Sequence, residues 1–198
     1  MAGIRKRTIA AVLEAALEAS GAHLVEAGLT GQASADLPWT CTADLAGRTR
    51  SYRCYFWTIT HGGNHRSRSE YRIQTMLTST ERRLAFGAGT TLLLGYYDSA
   101  VDDAGRELGH NPPAGMGLFV AWDATRHVAL GYSSSCQVAY EQLFQAYVDG
   151  ICARSRSVSG GASETVIALR PEYLASYFLE ASGGHDGVDV SRLRSQIG

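Results

Sequence analysis

The densest group of chemistry-bearing side chains lies at 61–72, read HGGNHRSRSEYR. His61, His65, Arg66, Arg68 and Arg72 crowd a segment opened by Gly62 and Gly63, which let a turn follow the contour of a nucleic-acid backbone. A guanidinium donates in pairs from a planar fork, which suits phosphates and base edges. His61, His65, Arg66 and Arg68 are therefore expected at DNA phosphates; the plainer alternative is an exposed hairpin loop with solvated arginines. Glu70, Arg72 and Gln74 follow on alternate residues, interleaved with Tyr71, Ile73 and Thr75. A strand puts the first three on one face, a rigid strip of the kind strand readers lay against groove edges. An ordinary solvated sheet face is the competing reading.

A third group is aromatic: Tyr55, Trp57, Tyr96, Tyr97 and Trp122, with Asp123 next to the last. An aromatic cage holding one carboxylate can stack an extruded base and accept from a cytosine N4 amine. Aromatic residues on strands more often fill cores. The base-readout candidates are thus Arg72, Gln74, Trp57, Trp122 and Asp123. A serine run at 133–135 offers N–H and hydroxyl groups to an anion at a helix start, with Ser134 as the phosphate contact. Plain helix capping accounts for the same residues.

Catalytic templates fit less well. Cys41, Cys54, His61 and His65 are spaced C-x12-C-x6-H-x3-H, which lacks the close cysteine pair of a zinc finger. No G-x-S-x-G, P-loop or dinucleotide fingerprint is present, and no metal or cofactor is expected. Of the 18 basic residues, Lys6 is the sole lysine. Walker-A ATPases, Schiff-base enzymes and the lysine form of the PD-(D/E)xK nuclease site are therefore poor fits, although Asp98, Asp103, Glu107 and Asp123 could supply nuclease carboxylates.

These groups need a scaffold, and 198 residues at 45% hydrophobic content support one domain with a real core. No apolar run approaches the roughly 18–20 residues of a spanning helix. Glu14 and Glu18 interrupt the apolar stretch behind the basic N-terminus, unlike a signal peptide, so a cytoplasmic protein without a membrane partner is expected. The four cysteines have no framework spacing and fit buried, reduced thiols. Net charge is −1, but residues 48–83 carry eight arginines against Glu70 and Glu81. Such a stripe is compatible with a specific nucleic-acid site.

Periodicity predicts a helix over 4–17, with Glu14 and Glu18 outward, ending at Gly21 or continuing through 23–27. Strands follow at 50–60 (covered on both faces), 70–77, 90–97 and 118–123, with a short hairpin strand at 126–132. A second helix is expected over 134–151 with the stripe Tyr140, Leu143, Phe144, Tyr147, Val148 and Ile151, capped from 133–135. A flexible loop at 154–162, a strand at 164–169 and a helix at 172–180 opened by Pro171 complete the order. The fold class is α+β: a mostly antiparallel central sheet flanked by helices in a single domain, 1–181, with 182–198 a polar glycine-rich tail or linker.

The phrases WTITHG (57–62), EYRIQ (70–74), LLLGY (92–96), FVAWD with RH (119–123, 126 and 127), SSSCQV (133–138) and ETVIALRPEYLASY (164–177) resemble N-terminal recognition domains of bacterial restriction proteins, including modification-dependent ones. The resemblance spans about residues 50–178. It implies a DNA-recognition module whose partners are double-stranded DNA and a separate nuclease or translocase subunit or domain. The reading is a DNA-binding specificity module of a restriction or defence system, with modified-base sensing as one form of it and no catalysis of its own. The alternative is a small metal-dependent nuclease of the restriction-endonuclease fold.

Overall fold

The computed structural model describes residues 6–29, 38–63, 66–75, 84–128, 134–157 and 161–195. Chain order runs α1 (Lys6–Ala19), β1 (His23–Leu29), β2 (Trp39–Leu45), β3 (Arg48–Thr58), β4 (Thr60–His61), β5 (Glu70–Thr75) and β6 (Thr90–Asp98). It continues through α2 (Asp103–Glu107), β7 (Gly117–Trp122), β8 (Ser134–Ala139), α3 (Tyr140–Asp149), β9 (Ile151–Ser157) and β10 (Ser163–Leu169) to α4 (Leu174–Ala181) and α5 (Val190–Ser195). Seven strands form one sheet in the order β1-β2-β3-β6-β7-β10-β9, and β4-β5-β8 form a second. Among the described residues only β3 with β6 pairs parallel; the other neighbours are antiparallel. The chain is an α+β domain, as its strand and helix patterns require.

The large sheet is covered twice. Ile9, Leu13 and Leu17 of α1 and Leu174, Tyr177 and Phe178 of α4 pack on one face with Cys54, Phe56, Leu92 and Leu94. Tyr55, Leu93 and Tyr97 point the other way, into a second cluster with Tyr71 and Ile73 of the small sheet and Leu143 and Ala146 of α3. Burial on both faces explains why β3 and β6 lack a polar face. Gly95 lets the layers meet: a Cβ there would stand 2.6 Å from Ile59 Cγ1 and 2.8 Å from Ile73 Cγ2. All four cysteines are buried and free.

Several elements differ from expectation. The stretch after Gly21 is edge strand β1, not more helix, because its backbone pairs with β2. Glu14, expected outward, accepts a 2.7 Å bond from Trp39 Nε1. The predicted helix over 134–151 is two elements: SSCQVA alternates, burying Cys136 and Val138, and pairs with β5 as β8. The helix starts only at Tyr140, with no side-chain cap, so the serines do not cap it. It buries Gln142, Leu143 and Ala146, whereas Phe144 is 42% and Val148 57% exposed, which corrects the predicted stripe. Residues 124–127 form a 3-10 turn opened by Asp123 rather than a hairpin strand; 129–133 lie outside the described residues. Of the expected loop at 154–162, residues 154–157 belong to β9, which pairs along its length with β10, and 158–160 lie outside the described residues. In the expected tail, Leu193 is buried, Val188 and Val190 pack on the core, and Arg194 NH2 donates to Ile151 O at 2.9 Å.

Candidate nucleic-acid interface

Strand β5 buries Tyr71, Ile73 and Thr75 and turns Glu70, Arg72 and Gln74 to the other face, with Gln74 exposed. Antiparallel pairing sets directly opposite residues on one face. Arg72 therefore shares its face with Gln137 of β8 and Thr60 of β4, and Gln74 shares it with Ser135. The strip read from the sequence is thus half of a wider polar surface. Gln137 Nε2 donates to Glu70 Oε1 at 3.2 Å, and Arg66 NH1 stands 3.6 Å from the same oxygen.

The loop before β5 is held from inside. His61 is buried; its Nδ1 accepts from Gly63 N at 3.1 Å, so its Nε2–H faces Ser67 O at 3.3 Å. Both ring nitrogens are therefore engaged in shaping the turn, which needs glycine at position 63, where φ is 93°. Arg66 and Arg68 are exposed, and His65 lies outside the described residues.

Beside β8 runs β9, the edge strand of the large sheet opposite β1, and two adjoining hollows separate them. The first, about 300 Å³, is walled by Val138, Ala139 and Val166 and edged by Ser69, Glu70 and Arg154. The second, about 420 Å³, is lined by Arg126, His127, Ser134, Ser135 and Ser157; Gln137 and Arg156 border both. Ser134 thus reaches a basic hollow from a strand, not from a helix start.

Under the second hollow lies a buried ionic network that the sequence did not disclose. Glu164, fully buried, meets His127 Nε2 at 2.7 Å, Arg156 Nε at 3.0 Å and Asp123 N at 3.2 Å. Burial raises its carboxyl pKa, but the His127 hydrogen bond and the charges of His127 and Arg156 outweigh that and hold it below the ordinary value. Cys136 Sγ is 3.5 Å from His127 Nδ1. This cysteine–histidine–carboxylate order matches a nucleophile with its base and orienter. Yet the thiol is fully buried and is pushed up to about 12, by burial first and then by Glu164. It is a protonated support, not an activated nucleophile.

Trp122 and Asp123 are buried under this surface. Trp122 Nε1 donates to Gln137 O at 3.0 Å, where Arg156 NH1 also arrives at 3.4 Å. Asp123 accepts from Thr125 N and Thr125 Oγ1 and pairs with Arg126 Nε at 3.1 Å; Arg126 NH2 also reaches Asp186 at 2.8 Å. Their bonds hold Gln137 and Arg126 in place. Trp57 is half-buried against the second core cluster, 6.5 Å from Tyr55 in a stacked arrangement. Tyr55, Tyr97 and Trp122 lie in that cluster and Tyr96 in the opposite one, so the five aromatic residues do not form a cage.

A second buried network sits beneath the β5 strip. Asp102 accepts from Tyr71 OH at 2.7 Å, Tyr97 OH at 2.8 Å and Gly105 N at 3.0 Å. Burial, then the hydrogen bond to Asp102, pushes both phenols up, so they remain donors. With its proton on Asp102, Tyr71 OH accepts from His110 Nδ1 at 3.0 Å. His110, whose pKa burial lowers, stacks on Tyr140 with ring centres 4.0 Å apart.

Fold and surface together define an α+β domain that presents polar strand faces and an arginine-bordered groove on one side. The chain belongs to the Methylase-associated X1 (MTaX1) family, whose model matches residues 50–178, from β3 into α4. That membership ties it to restriction–modification systems. No curated protein and no solved structure matches the chain. Among the described residues no helix is long and apolar enough to cross a membrane, and no group of three or more His, Cys, Asp or Glu is placed to hold a metal ion.

Proposed function

We propose that the chain is the DNA-binding specificity module of a restriction–modification system, reading duplex DNA while a nuclease or translocase subunit or domain acts on it. Such a module works in the cytoplasm, where its target is. The observation that carries this reading is the shared face of β5 and β8, where Arg72 and Gln74 stand beside Gln137 and Ser135. Rigid strands carrying paired donors and acceptors suit base-edge readout, and arginines at the border suit phosphates. Arg66 and Arg68 serve as phosphate contacts, Arg72, Gln74 and Gln137 as readers, and His61, Trp122 and Asp123 as their supports. Trp57 has no direct part in this arrangement.

The test is a gel-shift panel of unmodified, cytosine-methylated, adenine-methylated and phosphorothioate duplexes across a salt series. The Arg66→Ala/Arg68→Ala double variant is expected to weaken all duplexes about equally. It should also reduce the slope of log affinity against log salt by about 2, because each lost phosphate contact removes about 0.9. An unchanged slope would remove these arginines from the interface, and a wild-type chain without duplex affinity at low salt would end the reading.

A further inference from the structure

The aromatic side chains do not make a base pocket, but the groove between β8 and β9 has the shape and chemistry of one. Its 300 Å³ hollow is at the lower end of the range for small-ligand sites, about 300–1,000 Å³. Val138, Ala139 and Val166 give it apolar walls that a flat heterocycle can lie between, and no aromatic ring among the described residues lines it. Its polar groups are fixed in advance. Gln142 is buried, and its Nε2 donates to Cys152 O at 3.1 Å and Val166 O at 2.7 Å. Both amide hydrogens are then spent, which fixes the side chain at the floor of the hollow. Glu70 takes Gln137 Nε2 and Arg66 on Oε1, which leaves a carboxylate with further acceptor capacity. The Glu70 carboxylate favours a ring with an exocyclic amine beside it over one with a carbonyl there, and the serine hydroxyls and guanidiniums of Ser69, Ser155, Arg154 and Arg156 on the same lining are left for the ring's own acceptors.

The 420 Å³ hollow continues this site with different chemistry: the hydroxyls of Ser134, Ser135 and Ser157 and the guanidiniums of Arg126 and Arg156. Glu164 and Asp123 lie buried beneath, paired with His127, Arg156 and Arg126, and Asp186 pairs with Arg126 from the side. Serine hydroxyls and the unused guanidinium N–H groups are the donors a phosphate needs.

We propose that the two hollows together take one nucleotide, the base of a cytidine or adenosine type in the first and its phosphate in the second. The nucleotide is either extruded from duplex DNA or free in solution, and only the first form rests on the DNA-recognition reading above.

The experiment uses the full chain and two probes. The first is a duplex carrying a single 2-aminopurine, read at saturating protein; the second is deoxycytidine monophosphate against thymidine monophosphate by calorimetry. Because no described ring lines the hollow, an extruded 2-aminopurine loses its stacking, and its fluorescence is expected to rise several-fold. Deoxycytidine monophosphate is expected to bind about tenfold more tightly than thymidine monophosphate. Glu70→Gln should bring the two close to equal, and Ser69→Phe, which fills the hollow, should remove both signals. If Ser69→Phe fails to fold by circular dichroism, the near-isosteric Glu70→Gln still decides. A fluorescence rise assigns the nucleotide to DNA, and monophosphate binding alone assigns it to solution; either supports the site. Duplex affinity with neither signal overturns the nucleotide site alone. Monophosphate binding without duplex affinity overturns the DNA reading alone.

Discussion

Glu164→Ala is expected to lower the unfolding free energy by about 3–5 kcal/mol, the range for breaking a buried ion pair and leaving its partners uncompensated. Glu164 is fully buried on β10, and its two oxygens hold Arg156 of β9 and His127 of the turn after β7. Arg156 and His127 would keep their desolvation without their counter-charge. The same change frees Arg156 from the border of the groove, so duplex affinity is expected to fall with stability.

The pH dependence separates the ionic role from simple packing. The folded Glu164 carboxyl lies below its ordinary value of 4.5. Its stabilisation is therefore fully present above that value and is lost as pH falls through the lower folded value. In Glu164→Gln this component is missing, so the stability gap between wild type and variant should narrow from pH 7 towards pH 3. Urea unfolding at several pH values measures it. A gap that stays constant across that window would mean that shape, not charge, holds the network.

Asp102→Ala is expected to cost about 3 kcal/mol or more, because it orphans three buried donors at once and each unsatisfied group costs about 1–3 kcal/mol. The donors are Tyr71 OH, Tyr97 OH and Gly105 N, from β5, β6 and α2. The backbone is shaped around them: a Cβ at Gly105 would run into Tyr71 OH and the Asp102 carboxylate. Tyr97→Phe removes one donor and leaves the others paired, so its cost should be only about 1 kcal/mol. Thermal unfolding of both variants and of the double variant gives the coupling. Equal costs for the two single changes would show that Asp102 is not the shared centre of the network. Because Tyr71 is the buried neighbour of Glu70 and Arg72, loss of Asp102 should also loosen the strip and reduce discrimination between duplexes.

Local patterns carried part of this molecule. The alternation Tyr71, Ile73, Thr75 against Glu70, Arg72, Gln74 is legible because a strand with one buried face repeats every two residues. The double burial of β3 showed in its lack of a polar face, and Ile9, Leu13 and Leu17 repeat as a helix stripe does. The α+β class follows from that order of periods, and the arginine-rich turn was visible from composition alone.

Tertiary structure decided what those faces meet. In SSCQVAYEQLF nothing local separates strand from helix, since the strand is six residues long and runs directly into Tyr140. Only pairing with β5, about 60–70 residues earlier, draws it into a sheet and sets Gln137 opposite Arg72. That pairing also fixes how α3 approaches the core, so Leu143 and Ala146 go inward while Phe144 and Val148 face outward. Tyr, Trp and Asp are the same letters in a base cage, a core and a buttress, and burial against distant strands chose the last two for Tyr97, Trp122 and Asp123. Glu164, His127 and Arg156 lie 8–37 residues apart, and Asp102 lies 31 from Tyr71. Charges and hydroxyls at such separations carry no periodic trace: strand pairing sets Glu164 opposite Arg156 across β10 and β9, and the stacking of the small sheet on the large one brings Tyr71 and Tyr97 to Asp102.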